Sequence, residues 1–313
     1  MSTSPGPHSC TMHEMASNRD SHSDAGLIQY PQFILFGDSI TQFSSLTLQA
    51  RLQDQYIRRL DVLNRGLSGF TAPMGFVALQ KFLPASTPKS SWPKIRIATI
   101  FFGANDACVP GQSQHVELTD YIDALQKMVA YPVFNHSPKE LTEIIVITPP
   151  PVNEHQFERM PDGHFQRRAG ITSQYARAAR ETGKAAGVHI LDFWTVIMSR
   201  VGWSSSMGIE CCCDHIPSHF DAPDGVSRPT EQHIPGCCHA PTDIPNAKNQ
   251  LSDFLRDGLH LTNSGYDVLY GELMKLIQQR LPHLIPDNIP MVLPAWRDAL
   301  QLAEYNTTST NKL

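Results

Sequence analysis

The chain has 313 residues, 41% of them hydrophobic and 18% charged, enough material for a sizeable core in one large domain or two small ones. A formal net charge of −5 gives no electrostatic reason to expect a nucleic acid or a membrane surface as partner. The longest apolar runs, "IATIFF" and "IIVI", fall far short of the roughly 20 residues a membrane-spanning helix needs, so no membrane span is expected.

Residues 1–28 are polar, rich in Ser, His, Asp and Met, and predict a disordered N-terminal extension. They hold no apolar stretch of the kind a secretory signal carries, so a cytoplasmic location is expected. Cysteine usage points the same way. Of seven cysteines, Cys10 lies in the tail and Cys108 in the body, and the other five crowd into one short segment. An odd, clustered set makes a poor disulfide framework.

From Gln32 onward short apolar runs recur at Phe33–Phe36, Val62–Asn64, Ile95–Phe102, Ile144–Thr148 and Val188–Asp192. Each is bounded by Gly, Pro or charged residues, as buried strands tend to be. Between them the spacing turns helical. Leu118, Tyr121, Ile122, Leu125, Met128 and Val129 share one helix face, as do Tyr266, Leu269, Leu273, Leu276 and Ile277 further on. Alternating strands and helices predict a mostly parallel sheet covered on both faces, with functional groups gathered beyond the carboxyl ends of the strands. After Leu281 a run of prolines (Pro282, Pro286, Pro290, Pro294) predicts an extended wrap, followed by a short helix around Ala295–Tyr305.

The first strand runs straight into "FGDSIT", so Ser39 is expected at a strand tip. A free hydroxyl is a poor nucleophile until a base takes its proton. Among fourteen histidines, His260 stands apart, because "LRDGLHLTNSGY" places Asp257 three positions before it. That spacing can set a carboxylate beside Nδ1 of the ring and leave Nε2 free to accept a proton from a hydroxyl. Asp253, seven positions away, is the competing acid. Attack on an ester also creates an oxyanion, which needs donors. Gly69 in "NRGLSGFTA" lets a backbone N–H approach closely, and Asn105 in "FFGANDA" offers a side-chain amide. Asp38 and Asp106 are expected to brace their own loops.

Four peptides thus carry, in order, Ser, Gly, Asn and Asp-x-x-His: "FGDSIT", "GLSGFT", "GAND" and "DGLH". In this the chain resembles the SGNH (GDSL-type) hydrolases, and most closely the fungal isoamyl acetate-hydrolysing esterase group. "TPPPVNEH" (Thr148–His155) and "LDFW" (Leu191–Trp194) carry the resemblance further, over about Gln32 to Leu281. The resemblance implies a three-layer α/β/α sandwich with a short, mostly parallel, flavodoxin-like sheet. It also implies Ser39 as nucleophile, His260 as general base, Asp257 as the acid that orients it, and Ser39, Gly69 and Asn105 as oxyanion hole. No cofactor and no metal is required by that chemistry. The spacing around Ser39 differs from the G-x-S-x-G elbow of α/β-hydrolases.

Residues 203–247 interrupt the pattern. They contain "CCCDH" (Cys211–His215), His219, His233 and "CCH" (Cys237–His239), with no apolar period. Three readings are open: a translated intron or gene-model error, a flexible insert, or a structural zinc site, for which the adjacent cysteines are poorly spaced. The domain plan expected is therefore an extension at 1–28, a hydrolase domain at 29–281 interrupted at about 203–247, and a wrap and tail at 282–313.

The expected activity is a serine esterase acting on small-molecule carboxylic esters with short acyl groups, such as acetate esters, through an acyl-enzyme. The alternatives are another acyl hydrolase or an acyltransferase with a lipid, thioester or sugar-acetyl substrate, and an inactive protein whose catalytic loop the insert displaces. The C-terminal wrap serves either as a homodimer contact or as a cover for the sheet.

Overall fold

The computed structural model describes residues 28–86, 93–134, 142–158, 160, 161, 163, 166–204 and 250–296. All but the last residue of the extension expected at 1–28, most of the Cys/His-rich segment, and all but the first two residues of the helix expected around Ala295–Tyr305 lie outside these residues.

Five parallel strands form the sheet: β1 (Gln32–Gly37), β2 (Asp61–Gly66), β3 (Ile95–Phe101), β4 (Glu143–Ile147) and β5 (His189–Leu191). Their order is β2-β1-β3-β4-β5. All four pairings are parallel, and each predicted strand is present within a residue or two of its expected limits. Period-2 alternation sends Phe33 and Leu35 to one face of β1 and Ile34 and Phe36 to the other. Both sets are buried, which is why β1 reads as a continuous apolar run rather than an alternating one.

One face is covered by α2 (Leu48–Gln55), α6 (Phe193–Arg200) and α8 (Asn263–Arg280). The other is covered by α3 (Ala72–Phe82), α4 (Leu118–Val129) and α5 (Ala169–Ala185). The result is a three-layer α/β/α sandwich. The predicted stripe of α4 buries Tyr121, Leu125 and Met128 against the sheet, and that of α8 buries Tyr266, Leu269, Leu273 and Ile277. Each such side chain contributes roughly 1.5–3 kcal/mol of burial, enough to dock a helix whose own propensity is modest.

The strand order also locates the site. From β1 the chain crosses to β2 on one side, whereas β3 continues to β4 and β5 on the other. The crevice between the carboxyl ends of β1 and β3 is therefore a topological switch point, where sheets of this kind bind ligands. Ser39 follows β1, Gly69 follows β2 and Asn105 follows β3.

After α8 the chain makes two 3-10 turns, Pro282–Leu284 and Pro286–Asn288, and runs beside the end of α2. Tyr56 Oη donates to Leu284 O (2.9 Å), Arg59 Nε to Ile289 O (3.0 Å) and the amide of Val292 to Arg58 O (2.9 Å).

Candidate active site

β1 stops at Gly37 and the chain turns at once into a single helical turn, α1 (Ser39–Gln42). Asp38 caps this turn by accepting the Ile40 N–H at 2.9 Å. Burial pushes the Asp38 carboxyl up to about 7 against the pull of the Ile40 amide; Asp106 adds to the rise and Arg167 opposes it. Ser39 is the first residue of the turn, so its N–H has no intrahelical acceptor. It is only 4% exposed. Its Oγ lies 3.0 Å from Nε2 of His260, across 221 positions of sequence.

His260 comes from a loop that closes on itself. Leu255 and Leu261 pair in an antiparallel bridge, and the Arg256 amide donates to His260 O at 2.9 Å. α7 (Leu251–Phe254) enters the loop and α8 leaves it, with Thr262 capping α8 and also donating its hydroxyl to Asp253 O at 2.6 Å. Within the loop, Asp257 Oδ2 lies 2.7 Å from His260 Nδ1. Its Oδ1 accepts the amides of His260 (2.8 Å) and Leu259 (3.1 Å). Partial desolvation raises this carboxyl, but the hydrogen bonds from the ring and the two amides outweigh it and hold Asp257 below the usual carboxylate range. Asp253, the competing acid, is committed elsewhere: its Oδ2 accepts the Gln250 amide at 2.8 Å in the capping box of α7.

Gly258 makes the loop's turn at φ +85° and seats it on the next segment. Its carbonyl accepts the Asn153 amide at 2.9 Å, and a Cβ there would stand 2.7 Å from Asn153 O and 3.0 Å from the Phe157 ring. "TPPPVNEH" thus supplies the floor under the histidine loop. Over the ring lies Phe43, edge to face at 5.6 Å between centroids and 43% exposed.

Gly69 and Asn105 lie on the loops that follow β2 and β3, the two neighbours of β1 in the sheet. Gly69 has φ +79°, a conformation that costs other residues strain. Asn105 is buried; its Nδ2 donates to Phe70 O at 2.9 Å, and its second amide proton has no acceptor among the described residues. Its Oδ1 accepts from Arg167 at 3.1 Å. The same guanidinium reaches Gln114 Oε1 at 3.1 Å, and Gln114 Nε2 donates to Gly69 O at 2.8 Å. Asp106, buried beside them, braces the start of α3 by accepting the Ala72 amide at 2.8 Å; burial pushes its carboxyl up to about 7.

Ser39, His260 and Asp257 thus form a hydrogen-bonded series, and Gly69 and Asn105 lie on two loops, at the carboxyl ends of strands flanking β1, that are tied to each other. Sequence reasoning did not single out Phe43, Gln114, Asn153 or Arg167. Arg167 sits in "FQRRAG", beside another arginine and without a period to mark it. Among the described residues no group of three or more His, Cys, Asp or Glu side chains is placed to hold a metal ion, and the Cys/His-rich segment lies outside them. No helix among them is long and apolar enough to cross a membrane.

Comparison with known proteins agrees with the motifs. The profile of the GDSL-like Lipase/Acylhydrolase family matches residues 35–209, more than half of the chain, and spans Ser39, Gly69 and Asn105. The chain belongs to that family. As a GDSL-type protein it is a carboxylic ester hydrolase, and its curated relatives bear esterase names. The human isoamyl acetate-hydrolyzing esterase 1 homolog is 29% identical over 280 residues, covering 87% of this chain and 89% of that one. The isoamyl acetate-hydrolyzing esterase of Saccharomyces cerevisiae is 27% identical over 284 residues, covering 87% and 97%. The relatives are thus mammalian as well as fungal. A lipase/acylhydrolase from Enterococcus faecalis superposes with a TM-score of 0.48 at 19% identity, over 80% of this chain and 96% of that one.

Proposed function

We propose that this GDSL-type esterase hydrolyses small esters with short acyl groups, using Ser39 as nucleophile, His260 as general base and Asp257 to hold the imidazole. Ser39 Oγ attacks the acyl carbonyl as its proton passes to His260 Nε2. The oxyanion is met by the amides of Ser39 and Gly69 and the free Nδ2 proton of Asn105. His260 returns the proton to the departing alkoxide, and water repeats the cycle on the acyl-enzyme. The observation that carries this reading is the continuous contact Ser39 Oγ–His260 Nε2 (3.0 Å) and His260 Nδ1–Asp257 Oδ2 (2.7 Å).

Substrate size is supported by two features. The nucleophile is recessed at 4% exposure, and Phe43, 43% exposed against the His260 ring, offers an apolar surface to a short alkyl chain. The names of the relatives point to acetate esters in the same size range. The inactive alternative is disfavoured by the anchoring of the histidine loop. Trp203, the first residue of the Cys/His-rich segment, is buried on Trp194 at 4.9 Å between centroids, and α7, just after the segment, packs on α6. A long excursion between neighbouring ends adds little closure entropy, which supports a seated histidine loop.

The test is turnover of p-nitrophenyl acetate, butanoate and octanoate by the full chain and by Ser39→Ala, with fluorophosphonate labelling of both. The reading predicts falling kcat/KM with chain length and loss of labelling and turnover in the variant. Turnover retained by Ser39→Ala removes the nucleophile assignment. A preference for octanoate removes the short-acyl assignment and favours a lipid acyl hydrolase.

A further inference from the structure

Arg167 is 7% exposed, and the four hydrogen bonds it donates among the described residues go to neutral oxygens: Ala104 O, Gln166 Oε1, Asn105 Oδ1 and Gln114 Oε1. One terminal nitrogen is shared between the last two, at 3.1 Å each. The NH2 ends of those two amides then take successive carbonyls of the glycine loop, Phe70 O at 2.9 Å and Gly69 O at 2.8 Å. The loop after β2 and the loop after β3 have no covalent connection nearer than α3. Here they meet through those two side-chain amides, and one guanidinium holds both amides.

We infer that Arg167 is the positioning residue of the oxyanion hole, locking Asn105 and, through Gln114, the Gly69 loop into one frame before substrate arrives. The inference rests on the oxyanion-hole assignment above and deepens it. Three physical points carry it. A side-chain amide has two ends of nearly equal size, and only one can donate to an oxyanion. With a cation against Oδ1 and a carbonyl against Nδ2, the flipped amide of Asn105 would face like with like at both ends, so the donor orientation is fixed. A charge-assisted bond at Oδ1 also draws electron density along the amide and strengthens Nδ2–H as a donor. Finally, donors aimed in advance need no reorganisation when charge develops, which is where oxyanion holes gain their effect.

Arg167 is itself held from behind. Its backbone pairs with Cys108 in an antiparallel bridge, the Val109 amide donates to Gln166 O at 3.0 Å, and Nε donates to Ala104 O at 3.1 Å. The planar fork therefore grips the loop after β3 by both main chain and side chain. A lysine, with a point charge and no fork, cannot make the same set.

The experiment compares kcat and KM for p-nitrophenyl acetate, together with thermal melting, in wild type, Asn105→Ala, Arg167→Met, Arg167→Lys, Gln114→Leu and the Arg167→Met/Asn105→Ala double variant. Asn105→Ala should lose about 10²–10³ in kcat, and Arg167→Met about tenfold or more with KM within about twofold. Arg167→Lys should recover only part of that loss. In the double variant, adding Arg167→Met to Asn105→Ala should cost far less than it does alone, because the group it positions has gone. A purely structural arginine would instead lower the melting temperature and leave the two losses independent.

A folded Arg167→Met with wild-type kcat, or a double variant whose loss is the product of the two single losses, overturns the inference while leaving the oxyanion hole in place. If Asn105→Ala itself keeps wild-type kcat, the oxyanion-hole assignment falls and the inference with it. Should Arg167→Met fail to fold, Gln114→Leu decides, since it severs only the Gly69 arm at a partly exposed position: a several-fold kcat loss supports the inference and unchanged kcat overturns it.

Discussion

His260 reaches Ser39 from a loop that closes on itself, whereas the loops of Gly69 and Asn105 are bonded to each other and to Arg167 from a third segment. In the first region the partners lie within seven residues, Leu255 to Leu261, and the acid–imidazole contact spans three positions. In the second, Asn105 and Gln114 of one loop donate to Phe70 O and Gly69 O of another, and Arg167, from a third stretch of chain, donates to both amides. Local closure makes the histidine loop a self-contained unit that only has to dock, which it does on Asn153 and Phe157 through Gly258. The oxyanion side has no such unit; its geometry exists only after β2, β3 and the approach to α5 have assembled. The proposed base is thus secured by sequence proximity, and the proposed oxyanion donors by tertiary structure.

The largest expected effect strikes the local region. In Asp257→Asn the side-chain oxygen can keep the amides of Leu259 and His260, which places the NH2 where Oδ2 now meets the ring. A donor facing Nδ1 forces the proton onto Nε2, the wrong tautomer for accepting from Ser39. A loss of about 10⁴ in kcat is expected, the size seen when a triad acid is replaced by its amide. Asp257→Ala should lose roughly tenfold less, because its carboxyl is half exposed and water can take its place at Nδ1. Equal losses in the two variants would break the tautomer argument. On the tertiary side, Asn105→Ala removes one donor of three and should cost about 10² to 10³ in kcat. If that loss exceeds the Asp257→Asn loss, the ranking of the two regions is reversed.

The same contrast decides what the sequence made legible. The strands and the faces of α4 and α8 were readable because burial on a parallel sheet imposes period and length on nearby residues. The Asp-x-x-His peptide was readable because its contact is local, and Ser39 because a serine at a strand tip is conspicuous. Gly69 and Asn105 could be placed at strand ends, and so near the switch point. What joins them could not. Arg167 follows residues with no regular element, and its role depends on a bridge to Cys108 and on Gln114, neither of which any spacing announces. Asp253 shows the reverse case: a second acid near His260 was visible, but only the cap of α7 shows where its carboxylate goes.

A stability effect should follow from the seam between the regions. Gly258→Ala puts a Cβ 2.7 Å from Asn153 O at φ +85°, so the loop must shift or strain. A destabilisation of about 1–3 kcal/mol is expected, read as a lowered midpoint in urea. Because the loop is closed locally, it should move as a unit, so kcat should fall with the histidine displaced while the Asp257–His260 contact persists. Unchanged stability and kcat would show that the docking on Asn153 is not what places the base.

The smallest effect concerns the buried carboxyls behind the site, Asp38 and Asp106, both pushed up to about 7 mainly by burial. Their folded pKa values lie above the unfolded value of 3.8, so between about pH 4 and pH 7 the folded chain holds protons that the unfolded chain has released. Stability from these two groups is therefore complete below about pH 4, falls as pH rises to about 7, and is constant beyond. Asp257 has the opposite sign, but its contribution is lost only as pH drops through a value below the usual carboxylate range, outside this window. Asp106→Asn can keep the Ala72 amide bond and never ionises, so its unfolding midpoint should fall less between pH 5 and pH 8 than that of wild type. The comparison is made by urea unfolding at pH 5, 6, 7 and 8. Parallel slopes for the two proteins would mean that Asp106 stays ionised in the fold, and a carboxylate charge would then have to be counted on the oxyanion side of the site, where it would oppose the donors that Arg167 holds.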